Sequence, residues 1–143
     1  METQAAFGLV QLERLESFNA ARRRQAKRLM AGLADLTGQL DLIVEQPGGV
    51  STWFGFTVIV KDGDIRRRLS KHLEERGIET RPVVGGNLAA QPAFRSNPHR
   101  TVGALPGACL VAEPGLYIGN HPGLDDRRIE HLIEAFFSFY GLD

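Results

Sequence analysis

The sequence predicts an α+β fold: a small, mainly antiparallel sheet with helices on one face, preceded by a long linking helix. Three observations carry this. The first 36 residues keep a helical apolar period, with Leu9, Leu12, Leu15, Phe18, Leu29, Leu33 and Leu36 at spacings of three, four and their sums. Short runs rich in β-branched and aromatic residues then alternate with turn residues, around one amphipathic segment. A second amphipathic segment closes the chain.

The linking helix is expected over about residues 3–36, with a kink or break around Ser17-Phe18-Asn19, where Ser and Asn compete for helical hydrogen bonds. Gly38 is its stop, so residues 1–38 form the linking helix and 39–143 the small domain. Leu40 to Val44 is a short strand, and Gln46-Pro47-Gly48-Gly49 a turn. The run STWFGFTVIV, Ser51 to Val60, is a strand. Asp64 is placed as the N-cap of a helix from Ile65 to Arg76, which Gly77 ends. Ile78 to Val84 is a strand that Pro82 either confines to an edge or ends. Residues 85–108 are read as irregular, and a loop that long is usually functional. Ala108 to Val111 and Leu116 to Gly119 are strand-like. Leu124-Asp125-Asp126 opens the last helix, whose apolar face is Ile129, Leu132, Ile133, Phe136 and Phe137. Acids at its positive end are favourable.

Composition narrows the function classes. The chain has 143 residues, 43% apolar and 24% charged, enough for one domain with a real core. Seventeen basic and seventeen acidic residues give zero net charge, which offers no electrostatic case for nucleic acid or an anionic membrane. No run of about 18 apolar residues marks a membrane span. The single Cys109 excludes an internal disulfide and a paired-cysteine metal site, and fits a reducing cytoplasm. Cys109 is expected to be a small buried hydrophobe. The start, Met1-Glu2-Thr3, runs straight into a helical pattern without the layout of a signal peptide. The chain therefore reads as a piece of something longer, or as a separately expressed domain.

The usual catalytic signatures are absent: no GxGxxG, GxxxxGK[ST], GxSxG or HExxH. His72, His99, His121 and His131 do not fall at metal-ligand spacing, so no metal site and no catalytic residue is assigned. His72 and His131 read as ordinary helix residues. The cations Arg22-Arg23-Arg24, Lys27 and Arg28 read as a solvated helix face, with Glu13 and Glu16 at pairing distance along it.

Two constellations stand out. Arg81, Gly85-Gly86-Asn87 and Gln91 share one loop: a guanidinium fork for phosphate or carboxylate, glycines that let a ligand approach backbone, and two amides that donate and accept. Asn120-His121 follows a strand, where side chains project into clefts. The other reading is that Asn87 and Asn120 cap turns and Arg81 makes a surface pair. The residues alone leave the two readings balanced.

TQAAFGLVQLERL with ARRRQAKRLMAGL, then STWFGFTVIVKDG, LEERGIETRPVVGGNLAAQPAF and GLYIGNHPGL, resemble the C-terminal region of the DegT/DnrJ/EryC1/StrS family over essentially the whole chain. These are pyridoxal-phosphate-dependent enzymes of nucleotide-linked 4-keto sugars. RPVVGGNLAAQPAF looks most like the branch that removes the C3 hydroxyl of NDP-4-keto-6-deoxyhexoses, the CDP-4-dehydro-6-deoxyglucose 3-dehydratase-like enzymes of deoxysugar and lipopolysaccharide synthesis. The resemblance implies the small C-terminal domain of a fold-type I enzyme. The large cofactor-binding domain lies outside this sequence. So does the Lys that holds pyridoxal phosphate in the aminotransferases, or the His that replaces it in the dehydratases. Lys27, Lys61 and Lys71 match neither. A 2Fe–2S cluster, present in one dehydratase branch, would also have its ligands upstream. The resemblance further implies a homodimer, and a domain that closes over the sugar nucleotide without catalysing alone. Arg81, Asn87, Gln91, Asn120 and His121 would orient sugar or phosphate oxygens. A sugar aminotransferase of the same family and a stand-alone binding or dimerisation module are the competing readings.

Overall fold

Helix α1 covers Glu2–Gly32 in the computed structural model, which describes residues 2–142. At 1.5 Å per residue it is about 46 Å long. It runs without a break through Ser17-Phe18-Asn19. Ser17 satisfies its hydroxyl by donating to the Arg14 carbonyl at 2.7 Å, and Asn19 is buried instead of breaking the helix. The two halves differ in environment. Residues 2–17 are exposed throughout, whereas Ala26, Leu29 and Leu33 are fully buried. A short 3-10 turn, Ala34–Leu36, drops Leu36 into the same core. The second half of α1 therefore belongs to the packed body of the domain.

Four strands follow: β1 (Leu40–Leu42), β2 (Gly55–Val60), β3 (Thr80–Pro82) and β4 (Gly115–Gly119). They form one fully antiparallel sheet in the order β1-β2-β4-β3. The α+β architecture with an antiparallel sheet is as the sequence predicts, and Pro82 does lie in an edge strand, where its missing N–H costs no ladder bond. Strand β2 starts later than expected because Trp53 sits at φ 49, outside the extended region. Alternation sends Leu40, Phe56, Val58, Val60, Leu116 and Ile118 to one face, all buried against α1, α2 (Gly63–Glu74) and α5 (Asp126–Tyr140). From the helices, Leu69, Leu73, Ile129 and Phe136 complete the core.

Helix α2 begins two residues earlier than the sequence suggested. Its cap is Asp62, not Asp64: the Asp62 carboxylate accepts from the amides of Asp64 at 2.9 Å and Ile65 at 2.8 Å. Asp62 has extended backbone, which aims its side chain at those orphan donors. Gly77 closes the helix at φ 76, with the Ile78 amide donating back to the Leu73 carbonyl at 3.0 Å. Asp125 caps α5 by accepting from the Arg128 amide at 2.9 Å.

The stretch between β3 and β4 is more ordered than its composition implied. A 3-10 turn (Leu88–Ala90), helix α3 (Pro92–Arg95) and helix α4 (Pro106–Ala112) fill it. Residues 108–111 are thus helical, not a strand. A short apolar run does not distinguish the two, and Pro106 at the first turn fixes φ for a helix. Cys109, expected to be buried, is exposed on α4. The end of α4 lies over Gly115, where a Cβ would come within 2.2 Å of the Val111 carbonyl oxygen.

Candidate functional site

Antiparallel pairing sets Arg81 opposite Tyr117, and Tyr117 opposite Thr57. All three lie on the sheet face away from the main core. Tyr117 lays its ring over Gly55, so close that a Cβ there would be 2.6 Å from the ring. Beside this pair opens a cleft of about 630 Å³. One wall is the chain entering β3, from Gly77 to Glu79 and on to Arg81. The other is the start of α5, with Leu124, Arg128 and His131. Phe54 and Tyr117 supply aromatic surface. Concave space with apolar walls and a few charged groups is the ordinary form of a small-molecule site.

Each charged group in the cleft has a partner. Arg81 donates from Nε at 2.9 Å and Nη2 at 2.6 Å to a Glu79 carboxylate oxygen. The hydrogen bond and charge of Glu79, helped by Tyr117, hold the Arg81 guanidinium still more firmly protonated than usual. The pair is exposed, so a ligand anion can compete for the guanidinium. Arg128 reaches the Gly123 carbonyl and the Asp125 carboxylate, both at 3.4 Å. His131 donates from Nε2 to the Arg76 carbonyl at 3.0 Å, which fixes its tautomer.

Of the five residues singled out in the sequence, only Arg81 lines this cleft. Asn87 caps the 3-10 turn by accepting from the Ala89 amide at 3.1 Å, and its Nδ2 donates to Cys109 Sγ at 3.3 Å. Gln91 is exposed, and its carbonyl accepts from the amides of Phe94 and Arg95, both at 3.0 Å. Asn120 is buried and donates from Nδ2 to the carbonyls of Arg22 at 3.0 Å and Trp53 at 2.9 Å. His121 is exposed; its Nδ1 accepts from the Gly123 amide at 3.0 Å, leaving Nε2–H outward. The sequence reading missed Phe54, Tyr117 and Arg128. Their common signal is strand register and helix placement, which spacing along the chain does not contain.

The basic run on α1 is only partly solvated. Arg23 donates to the Ser51 carbonyl at 3.1 Å, and Arg28 pairs with Asp126 and, at 3.5 Å, with Glu130. Its partners come from other elements, not from Glu13 or Glu16 on the same helix. No cluster of three or more metal-ligating side chains occurs among the described residues, and no helix among them is long and apolar enough to cross a membrane.

Pyridoxal phosphate is commonly held as a Schiff base to a Lys, and it needs a cradle for its phosphate. No lysine lines the cleft, and Lys27, Lys61 and Lys71 are exposed, the last 3.9 Å from Glu75. The amides that open α2 and α5 are already bonded to Asp62 and Asp125. The residues of this chain do not make a pyridoxal phosphate site by themselves.

Over 140 residues the chain is 36% identical to dTDP-4-dehydro-2,6-dideoxy-D-glucose 3-dehydratase of Saccharopolyspora spinosa, an alignment covering 96% of this chain and 30% of that protein. It is 35% identical to the lipopolysaccharide biosynthesis protein RfbH of Salmonella typhimurium, over 99% of this chain and 33% of that one. The solved structure of Escherichia coli GDP-4-keto-6-deoxy-D-mannose-3-dehydratase with bound hydrated PLP superposes with a TM-score of 0.80 at 33% identity, covering 91% of this chain and 33% of the other. The chain thus spans about a third of the length of these relatives, and it has the fold of the part it matches. The model of the DegT/DnrJ/EryC1/StrS aminotransferase family matches residues 1–137, and the chain belongs to that family.

Proposed function

We propose that this chain is the C-terminal, substrate-closing domain of a pyridoxal-phosphate-dependent nucleotide-sugar 3-dehydratase in deoxysugar or lipopolysaccharide synthesis. The observation that carries the reading is similarity along most of the chain to 3-dehydratases about three times its length. Removing a C3 hydroxyl needs an electron sink and a positioned acid or base. The cleft offers neither a lysine nor an unengaged carboxylate, so the cofactor and its chemistry belong to a further domain. What this domain supplies is closure: it binds, orients and excludes water. Arg81 takes a phosphate oxygen of the nucleotide-linked 4-keto-6-deoxyhexose. Asn87, Gln91 and His121, which lie outside this cleft, orient sugar oxygens, and Asn120 positions the turn that carries His121. A homodimer in the cytoplasm completes the reading, and a 2Fe–2S cluster, where present, is held outside this chain.

The test is a calorimetric titration of the chain with CDP-, GDP- and dTDP-linked hexoses. Binding of one of them that Arg81→Ala weakens is expected; no binding of any overturns the reading. Incubation with pyridoxal phosphate is expected to leave no stoichiometric cofactor on the chain. In the full-length protein, a His at the cofactor-holding position marks a dehydratase and a Lys an aminotransferase.

A further inference from the structure

The segment Trp53-Phe54 is built unlike its surroundings. Among the described residues, Trp53 is one of two non-glycine residues with positive φ, at 49. Large side chains seldom adopt that region without being held there. Three contacts hold it. Its carbonyl accepts from buried Asn120 at 2.9 Å, its amide donates to Ser51 Oγ at 3.0 Å, and its ring tilts against Phe56 at 6.4 Å between centroids. The result is that Trp53 turns inward while Phe54, the next residue, stands out at 73% exposure. Phe54 borders the cleft.

The ring is also backed. The Arg22 guanidinium lies 5.8 Å from the Phe54 centroid, a cation–π distance. One face of the ring is thereby covered and steadied, which leaves the other as a flat apolar surface at the cleft. The same cleft carries Arg81 and Arg128. A flat aromatic face beside two guanidiniums matches one kind of molecule well: a planar aromatic base joined to a diphosphate. An apolar protein segment would use the ring but not the cations.

Resting on the nucleotide-sugar reading above, we propose that Phe54 is the platform on which the nucleobase of the substrate stacks, with Arg22 as its positioning residue. Stacking on a π-face tolerates different bases, so the platform sets affinity for the nucleoside and leaves the choice of base to other contacts.

The test compares the wild-type chain, Phe54→Ala and Phe54→Tyr in calorimetric titrations with CDP, GDP and dTDP, and with inorganic diphosphate. Phe54 is exposed, so Phe54→Ala is expected to melt like wild type. The expected result is that Phe54→Ala weakens the bound nucleoside diphosphate about ten- to a hundredfold and leaves inorganic diphosphate unchanged. Phe54→Tyr restores the affinity. If Phe54→Ala binds the nucleotide as wild type does, the platform is wrong while the nucleotide-sugar reading stands. If it loses nucleotide and inorganic diphosphate equally, Phe54 shapes the cleft and does not stack, which also overturns the proposal. If the wild-type chain binds none of the nucleotides, platform and nucleotide-sugar reading fall together.

Discussion

Asn120 donates to the Trp53 carbonyl at 2.9 Å, and through the same amide nitrogen to the Arg22 carbonyl at 3.0 Å. One buried side chain thus ties α1, the segment before β2 and the end of β4. Asn120→Ala removes both bonds and strands buried carbonyls, at a cost of about 2–4 kcal/mol. The melting temperature is expected to fall by roughly 5–15 °C. A side chain whose role is ligand contact alone would leave it unchanged.

Asn87 caps the turn Leu88–Ala90 and otherwise makes one exposed contact, to Cys109 Sγ on α4. Asn87→Ala is expected to cost less than about 1 kcal/mol in global stability. Amide exchange at Ala89 and Ala90 should accelerate while the sheet stays protected. With sugar nucleotide present, the variant is expected to bind more weakly than wild type. A large drop in melting temperature would make Asn87 a structural cap and remove it from the proposed sugar contacts.

Glu79 occupies the Arg81 guanidinium. Glu79→Gln keeps the shape and removes the competing charge. Affinity for a nucleoside diphosphate is expected to rise about two- to fivefold, with the gain shrinking as salt is added. Unchanged affinity would separate Arg81 from the anion.

The Tyr140 hydroxyl is buried without a partner, and burial raises its pKa above the ordinary value of 10.0, a rise that the Arg68 charge partly offsets. The folded state therefore keeps a proton that the unfolded chain releases. This contribution is complete below the unfolded pKa of about 10 and is lost as pH rises through the folded value. Tyr140→Phe should match wild type or exceed it at about pH 8, because an unpaired hydroxyl is removed. Above about pH 10 the variant should gain on wild type in thermal melts.

Gly115 accepts the end of α4 at a distance that excludes a Cβ. Gly115→Ala forces backbone apart and is expected to cost at least about 1–3 kcal/mol. Far-UV circular dichroism should show the sheet retained, and exchange should show α4 released. Normal protection of α4 in this variant would contradict the close packing.

The sequence by itself determined the order of elements outside the stretch between β3 and β4, the buried faces of α2, α5 and the second half of α1, the helix-ending role of Gly77 and the edge position of Pro82. Each follows from periodicity or from a backbone limit that acts over a few residues. The family was also legible, because RPVVGGNLAAQPAF and its flanks are local strings. Helix α4 was not, since a short apolar run fits either period. Nor was the cap of α2, where two acids lie two residues apart and only the backbone angle of Asp62 selects between them. The cleft is a tertiary decision. Arg81 and Tyr117 are 36 residues apart in sequence and meet through strand register. Phe54 joins them because Asn120, 66 residues away, holds Trp53 in a conformation it would not keep alone. Long-range pairing and strain held by distant contacts leave no trace in local spacing, which is why the sequence singled out Arg81 but not the residues that line the cleft with it.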